Sequence, residues 1–309
     1  MKLITYRCRE GVVRTGVVVL DNQVLPIDRW LTELPIPSTF KAYCASNGMP
    51  PATAGMLRLL QAGCIAFTEL KRHVGLALDR GTKPLTSLAD VNLLAPVPRP
   101  GKIVGVGRNY ADHAKETGVA PFEKPRIIFK APSSVSAPGA PVVRPATVTK
   151  LDYEVELAVI IGSVGKNVSV ENALSLVAGY TILNDLSARE LQFDISPPQT
   201  TFAKSMDGFA PMGPWLVTAD DIPDPQQLDV STWLNGHRVQ HASTSDMLFS
   251  VATLIAYVSS TMTLEPGDVI ATGTPAGIGA FAQPPHYLQP GDRLRLEVSG
   301  IGTLEHAVA

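Results

Sequence analysis

The chain has 309 residues, of which 45% are hydrophobic and 17% are charged, and its formal net charge is −2. This composition excludes a disordered chain and allows one large domain or two ordinary ones with a substantial core. The balanced charge, without long runs of one sign, gives no reason to expect nucleic acid or an anionic membrane surface as a partner.

The first 95 residues are predicted to form a small N-terminal α+β domain. The stretches LITYR, VVRTGVVVL and QVLPI, with a turn at Asp21–Asn22, are typical of short paired strands. From Ala52 to Asp79 the apolar residues recur at spacings near three and four, which predicts helix. The stretch LLAPVPRPGK follows, and its three prolines and one glycine indicate a domain junction near residue 95.

Residues 96–309 are predicted to form a β-dominated α+β domain. The sequence predicts strands at 102–107, 126–131, 151–162, 180–185, 214–221, 229–239, 268–273 and 292–300. It predicts helices at 109–117, 170–178 and 244–261. Many strands, few helices and frequent Gly/Pro turns argue for a mixed, β-dominated fold and against a doubly wound sheet.

The N-terminus and the cysteines indicate the compartment. Arg7, Arg9 and Glu10 lie where a signal peptide would have its apolar segment, and no apolar run approaches the roughly 18 residues of a membrane span. The cysteines are far apart and form no C-x-x-C pair, so neither disulfides nor a zinc–cysteine site is expected. We therefore expect a cytoplasmic protein without a membrane partner.

The stretch LDYEVELAVIIG, residues 151–162, has the composition of a buried strand but carries Glu154 and Glu156 at its start. Side chains alternate along a strand, so both carboxylates would project from one face and repel each other. Asp185, at the end of YTILND, could join them around a hard cation such as Mg²⁺, Mn²⁺ or Ca²⁺. Alternatively, both glutamates face solvent on an edge strand beside Lys150. Spacing alone does not decide between the two.

Two further groups could carry chemistry. His113 and Glu116 share a face of the predicted helix, and a histidine oriented by a carboxylate is a common general base. The alternative is an ordinary surface helix with a weak ion pair. Lys204, among the small and apolar residues of FAKSMDGFAPMGPW, could balance an enolate or a carboxylate, or it could be a surface lysine.

Two glycine-rich stretches have competing interpretations. Gly105 and Gly107 follow a predicted strand, but Tyr110 stands where a dinucleotide-binding fingerprint requires its third glycine. A nucleotide site is therefore not expected there. The stretch ATGTPAGIG, residues 271–279, is either a tight turn or a source of backbone N–H groups for an anion or carboxylate.

These motifs occur together in a familiar order. From about Leu94 to the C-terminus the chain resembles the fumarylacetoacetate hydrolase family, in its acylpyruvate hydrolase and 2-hydroxyhepta-2,4-diene-1,7-dioate isomerase branch. The matching stretches are KIVGVGRNYADHAKE, KPRIIFKAPSS, LDYEVELAVIIG, GYTILNDLSARELQ, FAKSMDGFAPMGPW, LEPGDVIATGTPAGIG and LQPGDRLRLEVSGIGTL. Residues 1–95 are similar to the variable N-terminal domain of many members.

The resemblance implies a catalytic domain of mixed β-roll or sandwich type with few helices, usually a homodimer, with Mg²⁺ or Mn²⁺ in each subunit and Ca²⁺ as a further option. By this resemblance Glu154, Glu156 and Asp185 would bind the metal, and His113 with Glu116 would activate water from a lid segment. It places Lys204 beside the metal and gives contacts to substrate oxygens to Arg108, Arg189, Gln192 and Thr274.

The implied activity is metal-dependent hydrolysis of a C–C bond in an acylpyruvate or related 2,4-diketo acid, such as a fumarylpyruvate-like or sugar-derived substrate. Oxaloacetate decarboxylation and isomerisation of a 2-hydroxymuconate-type acid are alternatives on the same platform. A non-catalytic binding relative is a remote one. Members often have an aromatic residue where this chain has Thr200 and Thr201, so the sequence does not identify the acyl group of the substrate.

Overall fold

The computed structural model describes residues 1–81, 86–118 and 120–309. Within these ranges the strands are β1 (Lys2–Arg7), β2 (Val13–Val19), β3 (Gln23–Pro26), β4 (Thr86–Ser87), β5 (Asn92–Leu94), β6 (Ile103–Gly107), β7 (Arg126–Lys130), β8 (Val135–Ser136), β9 (Leu151–Asp152), β10 (Val155–Ile161), β11 (Val177–Asn184), β12 (Ser187–Ala188), β13 (Ala210–Thr218), β14 (Asp229–Leu234), β15 (His237–Ser243), β16 (Val269–Ala271), β17 (Arg293–Val298) and β18 (Gly302–Ala307).

The helices of the same ranges are fewer than the strands. They are α1 (Asp28–Glu33), α2 (Ser38–Ser46), α3 (Gly55–Gln61), α4 (Cys64–Asp79), α5 (Ala111–Glu116), α6 (Val170–Ala173), α7 (Arg189–Phe193), α8 (Thr200–Ala203) and α9 (Val251–Thr261). None of these helices is long and apolar enough to cross a membrane.

One large mixed sheet organises the molecule. Its strand order is β4-β3-β2-β1-β13-β11-β10-β16-β6-β7, with β5 beside β1 and β8 beside β13. The β16–β6 and β13–β8 pairs are parallel, and the other pairs of this sheet are antiparallel. A second sheet has the order β15-β14-β17-β18, and β9 pairs with β12. The predicted β-dominated α+β class is confirmed.

The N-terminal strands belong to the large sheet. β1 runs antiparallel to β13, with Leu3 opposite Leu216, and β5 pairs with the other end of β1. The apolar side chains of α3 and α4, such as Leu60 and Leu70, share a core with Ile160 of β10. Backbone pairing and packing thus join the first segment to the strands that carry the site. A domain boundary near residue 95 stays a prediction.

Strand β10 lies in the interior of the sheet, between β11 and β16. Leu157 and Val159 pack into the core that contains α9, while Ala158 and Ile160 pack into the core shared with the N-terminal helices. Burying an aliphatic side chain of this size contributes about 1.5–3 kcal/mol, so both faces hold the strand in place. The alternative of an exposed edge strand is therefore wrong.

Two predicted elements differ in extent. The helix predicted from 244 begins at Val251, because Ser250 caps it: its Oγ accepts from the backbone N of Thr253 at 3.2 Å. The single strand predicted over 229–239 is the hairpin β14–β15. Its turn residues Asn235 and Gly236 have φ of 51° and 85°, and an Asn-Gly pair is a strong signal for such a turn.

A third predicted element, the helix at 170–178, is also shorter. It ends at Ala173 and continues as a 3₁₀ turn over Leu174–Leu176. β11 then begins at Val177, three residues earlier than predicted. The extra residues pair with the C-terminal half of β10, where Ile161 lies opposite Val177. Tertiary pairing therefore takes residues that local periodicity assigned to the helix.

Candidate active site

Three carboxylates form a buried cluster at one end of β10 and β11. Each of Glu154, Glu156 and Asp185 offers one oxygen, and these oxygens lie within 4.8 Å of one another. Strand pairing brings them together, because Asp185 N donates to Glu154 O at 2.8 Å and Glu154 N donates to Asn184 Oδ1 at 3.0 Å. We call these three residues the carboxylate cluster.

Two cations compensate part of this charge from one side. Lys204 Nζ lies 2.9 Å from Glu154 Oε2 and 2.6 Å from Asp185 Oδ2, and it donates to Ser187 Oγ at 2.8 Å. Arg189 Nη2 lies 2.6 Å from Glu154 Oε1. Lys204 is buried, so the surface alternative for this residue is wrong.

A third cation, Lys130, escaped the sequence analysis. Its Nζ lies 2.7 Å from Asp185 Oδ1 and donates to the backbone oxygen of Lys204. The side chain is fully buried, and β7 carries it. The available signal was its position directly after the apolar residues Ile127–Phe129, where a lysine needs a partner if its side chain points into the protein.

The members of the cluster differ in their pKa values. Burial would raise the pKa of Glu154, but the charges of Lys204 and Arg189 outweigh it and hold the pKa at about 2. Burial and the charges of Asp185 and Glu154 raise the pKa of Glu156 well above its ordinary value. Glu156 forms no ion pair within the described part of the chain and accepts only from Gly273 N, at 2.8 Å. An oxygen-only donor set with uncompensated negative charge fits a hard divalent cation.

A histidine–glutamate pair lies close to the cluster. His113 Nδ1 is 2.7 Å from Glu116 Oε1, which leaves Nε2 available to the cavity. His113 lines the same cavity as Glu154 and Asp185, so the pair lies beside the carboxylate cluster. His113 is buried, so the description of an ordinary surface helix is wrong for this face of α5.

The glycine-rich stretch 271–279 holds the acidic side chains of the site. Both interpretations of it apply, because it is a turn whose N–H groups bind carboxylates of the protein itself. The donors and acceptors are Gly273 N to Glu156 Oε2 at 2.8 Å, Gly277 N to Glu116 Oε2 at 3.0 Å, and Gly279 N to Asp152 Oδ1 at 2.8 Å.

Gly273 cannot be replaced without strain. Its φ is 99°, and a Cβ there would lie 2.8 Å from Asn109 Cβ and 2.9 Å from Val106 O. Only glycine adopts this backbone conformation readily, and only glycine fits the space. The N–H that orients Glu156 therefore depends on this residue type.

A cavity of about 240 Å³ opens beside the cluster. It brings together most of the residues proposed from the sequence: Arg108, His113, Glu154, Asp185, Arg189, Gln192, Lys204 and Thr274. Glu116 and Glu156 are not in its lining, but Glu116 contacts His113 and Glu156 completes the cluster.

The predicted substrate contacts are tied into the protein. Arg189 Nε donates to Asp152 Oδ2 at 2.8 Å and its Nη1 donates to Gln192 Oε1 at 2.9 Å. Its Nη2 is in ion-pair contact with Glu154 but forms no hydrogen bond within the described residues. Thr274 Oγ1 accepts from Gln240 Nε2 at 2.9 Å. A substrate oxygen would have to share these groups. Asp152 and Gln240 were not predicted from the sequence. The available signal for Asp152 was its place two residues before Glu154 in the same alternating stretch, whereas no pattern around Gln240 pointed to the site.

Comparison with known proteins agrees with this geometry. The model for the fumarylacetoacetate (FAA) hydrolase C-terminal family matches residues 102–309. The chain belongs to the fumarylacetoacetate hydrolase family. The resemblance seen in the sequence is confirmed.

Relatives and solved structures extend this family membership. A Burkholderia multivorans protein, whose name assigns it provisionally to the hydrolases, is 47% identical over 227 residues, or 73% of this chain and 80% of that protein. Maleylpyruvate hydrolase from Sphingobium sp. SYK-6, in complex with manganese(II) and pyruvate, is 31% identical with a TM-score of 0.75, covering 100% of this chain and 99% of that one. The 2-hydroxyhepta-2,4-diene-1,7-dioate isomerase from Mycobacterium marinum is 32% identical with a TM-score of 0.70, covering 100% and 98%. The family relatives thus support an enzyme of hydrolase type.

Proposed function

We propose that the protein is a divalent-metal-dependent hydrolase that cleaves a C–C bond in 2,4-diketo acids of the acylpyruvate type, R–CO–CH₂–CO–COO⁻. The observation that carries this proposal is the His113–Glu116 pair, whose histidine lines the same cavity as Glu154 and Asp185 of the carboxylate cluster. Hydrolysis needs a base that activates water, whereas decarboxylation and isomerisation do not need one for that purpose.

In this proposal Glu154, Glu156 and Asp185 hold Mg²⁺ or Mn²⁺. Support comes from their convergent oxygens and from the manganese in the maleylpyruvate hydrolase of Sphingobium. When bound, the cation supplies positive charge against which the carboxylate and 2-oxo oxygens of the substrate are held and an enolate is stabilised.

His113 acts on water. With Nδ1 hydrogen-bonded to Glu116, Nε2 takes a proton from a water molecule, whose oxygen attacks the carbonyl carbon next to R. The bond from that carbon to the CH₂ group breaks, and its electron pair passes into the enolate of pyruvate. The proton held at Nε2 then goes to the CH₂ carbon, so one water is consumed and the products are pyruvate and RCOOH, which releases its remaining proton to solvent and becomes RCOO⁻.

Lys204 and Arg189 act as fixed charges. The pKa of Lys204 is raised, because the charges of Asp185 and Glu154 outweigh the effect of burial, so its ammonium group stays protonated beside the developing enolate. Charge that is already oriented stabilises a transition state without reorganisation, and one such contact is typically worth about 3–4 kcal/mol of barrier. Arg189 keeps Glu154 in place through the 2.6 Å ion pair.

A second candidate function is isomerisation of a 2-hydroxymuconate-type acid. The similarity to the Mycobacterium marinum isomerase over the whole chain favours it. Oxaloacetate decarboxylation would use the same residues without water attack. Neither alternative includes an attack by water, so neither requires His113 as a base that activates water.

The test uses the purified protein, stripped of metal and reloaded with Mg²⁺ or Mn²⁺. Incubation with acetylpyruvate or fumarylpyruvate should release pyruvate and the matching acid in a metal-dependent reaction. Pyruvate from oxaloacetate alone, with CO₂ above the rate without enzyme, would establish the decarboxylase instead. Conversion of a 2-hydroxymuconate-type acid without pyruvate release would establish the isomerase, and tight binding without any turnover would establish a binding protein.

A further inference from the structure

Two arginines line the cavity without an acidic partner. Arg108 follows β6, Arg126 begins β7, and both belong to the cavity lining. The arginine ion pairs of the described residues involve other arginines, and the residues outside those ranges, 82–85 and 119, include no acidic side chain. We call Arg108 and Arg126 the arginine pair.

The members of this pair repel each other. Gly107 lies directly opposite Arg126 in the β6–β7 ladder, so Arg108 is the next residue along. Burial lowers the pKa of Arg108, and the charge of Arg126 lowers it further. Arg108 also has a φ of 58°, a left-handed conformation that arginine rarely adopts. The Arg108 guanidinium lies 5.4 Å from the centre of the Phe122 ring, which does not neutralise its charge. An anion bound in the cavity would relieve the repulsion between the two arginines.

A strip of bare backbone connects the arginine pair with the carboxylate cluster. Gly105 and Gly107 present the same face of β6, because side-chain directions alternate. A Cβ on Gly105 would lie 3.2 Å from Ile128 O and 4.0 Å from Asp185 Oδ2, and a Cβ on Gly107 would lie 3.1 Å from Ile128 Cδ1 and 3.5 Å from Arg126 Cδ. Two residues of a strand span about 7 Å, so this is the separation of the two positions along β6. Both glycines line the cavity, so the cavity wall runs from the carboxylate cluster to Arg126 without a side chain of β6 projecting into it.

The neighbouring strand β7 also has charged side chains at both ends of the cavity and an apolar one between them. By alternation, Arg126, Ile128 and Lys130 share one face of β7. Lys130 contacts Asp185 of the cluster, Ile128 lines the middle of the cavity, and Arg126 is at the far end. Further apolar lining comes from Phe193 and Phe281. A ligand that fits has polar groups at both ends and a short hydrocarbon segment between them.

We propose that Arg126, together with Arg108, binds a second carboxylate at the distal end of the substrate. The preferred substrates are then 2-oxo acids whose acyl group ends in a carboxylate after a few carbon atoms. A guanidinium group recognises a carboxylate through paired N–H donors, which gives direction as well as charge. The reaction on these substrates rests on the proposed function, but the anion site itself does not.

The first experiment measures binding without turnover. 2-Oxoadipate and 2-oxohexanoate have the same length and differ only in a terminal carboxylate against a methyl group. Calorimetry with the Mg²⁺-loaded protein should show 2-oxoadipate bound about tenfold more tightly, the size expected for a partly exposed charge-assisted contact. In Arg126→Gln this preference should fall to about twofold or less. Lys124→Gln, an exposed cation on the same segment that is not part of the cavity lining, should keep the wild-type preference.

The second experiment measures turnover of fumarylpyruvate against acetylpyruvate. The ratio of their kcat/KM values should fall about tenfold in Arg126→Gln, mainly through the KM for fumarylpyruvate. An unchanged ratio and an unchanged binding preference would overturn the second anion site. If neither compound is hydrolysed while 2-oxoadipate still binds through Arg126, the proposed function fails and the anion site stands.

Discussion

The two ends of the cavity handle charge in opposite ways. At the carboxylate cluster, Lys204 and Lys130 are buried within 2.9 Å of the acids that they compensate. At the arginine pair, Arg108 is half-buried, Arg126 is exposed, and neither has an acidic partner among the residues that the structure describes. A buried charge without a partner costs several kcal/mol, so the folded protein supplies an ion-pair partner. A charge in contact with water is solvated and can stay unpaired until a ligand binds.

This difference separates chemistry from substrate choice. The interior of the sheet fixes the geometry of the cluster through ladder hydrogen bonds and the N–H groups of residues 271–279. The arginine pair lies at the start of β7 and in the loop after β6, where side chains can change without disturbing the core. We therefore expect substitutions at the first end to abolish activity or stability, and those at the second end to change selectivity.

Asp185→Asn should have the largest effect. It removes one oxygen ligand and leaves Lys130 and Lys204 facing a neutral amide, so we expect metal-dependent activity to fall at least about 10³-fold and stability by about 3–5 kcal/mol. Activity, Mn²⁺ affinity and urea unfolding are measured together. Asp194→Asn, at an exposed acid paired with Lys150, is the control and should change none of them by much. Full activity in Asp185→Asn would remove this residue from the metal site.

His113→Gln should lower kcat by about 10²–10⁴-fold, the usual contribution of a general base. Metal affinity should stay the same, because the three carboxylates are untouched. Steady-state kinetics and a Mn²⁺ titration check this, with the exposed His237→Gln as a control. If metal affinity falls as much as kcat, His113 is a ligand or a structural residue, not a base.

The sequence predicted much of the cluster for a physical reason. Period-two alternation places Glu154 and Glu156 on one face, and Asp185 ends an apolar strand, so local patterns carry the information. The same holds for β10, which was predicted from the continuous apolar run 157–161, and for α4, which was predicted from apolar residues spaced near three and four. Glycine positions in residues 271–279 also pointed to N–H donors, although not to their acceptors.

The partners from distant parts of the chain could not be predicted. Lys130 meets Asp185 only because β7 joins the edge of the sheet beside β6, and Gln240 reaches Thr274 only because β15 lies over this end. Sheet order decides such contacts, and periodicity along one strand contains no information about the order. The β14–β15 hairpin is different: one continuous strand was predicted over 229–239, although the Asn235–Gly236 pair is a local signal for the turn.

Lys130→Met tests how much the buried ammonium group of Lys130 contributes to stability. It replaces a buried ammonium by an apolar group of similar length and leaves Asp185 with one fewer partner, so we expect a loss of about 3 kcal/mol in the free energy of unfolding. Urea denaturation measures it, with the exposed Lys115→Met as the control. An unchanged stability would mean that Lys204 alone compensates Asp185.

Acid should destabilise the cluster end through His306. Burial lowers the pKa of His306 to about 4, and its Nε2 lies 2.9 Å from Asn184 Nδ2, next to Asp185. His306 is therefore protonated near pH 6.5 in the unfolded chain but only near pH 4 in the folded protein. This contribution to stability is present above pH 6.5 and is lost as the pH falls towards 4, by about 2–3 kcal/mol at pH 4.5. The free energy of unfolding, measured in urea at pH 7, 5.5 and 4.5, should therefore fall less with decreasing pH in His306→Gln than in the wild type. The same fall in both proteins would refute the role of His306.

Arg126→Gln should have the smallest effect on stability and so completes the comparison. Its guanidinium is exposed and unpaired within the described residues, and it repels Arg108, so removing it should change the free energy of unfolding by no more than about 0.5 kcal/mol, in the stabilising direction. The stabilisation should shrink as salt is raised from 0.05 to 0.5 M, because the repulsion between exposed charges is screened. Urea unfolding at both salt concentrations measures this, with Lys124→Gln as the matched control. A loss of 2 kcal/mol or more would mean that Arg126 supports the fold, and the distinction between the two ends of the cavity would then be wrong.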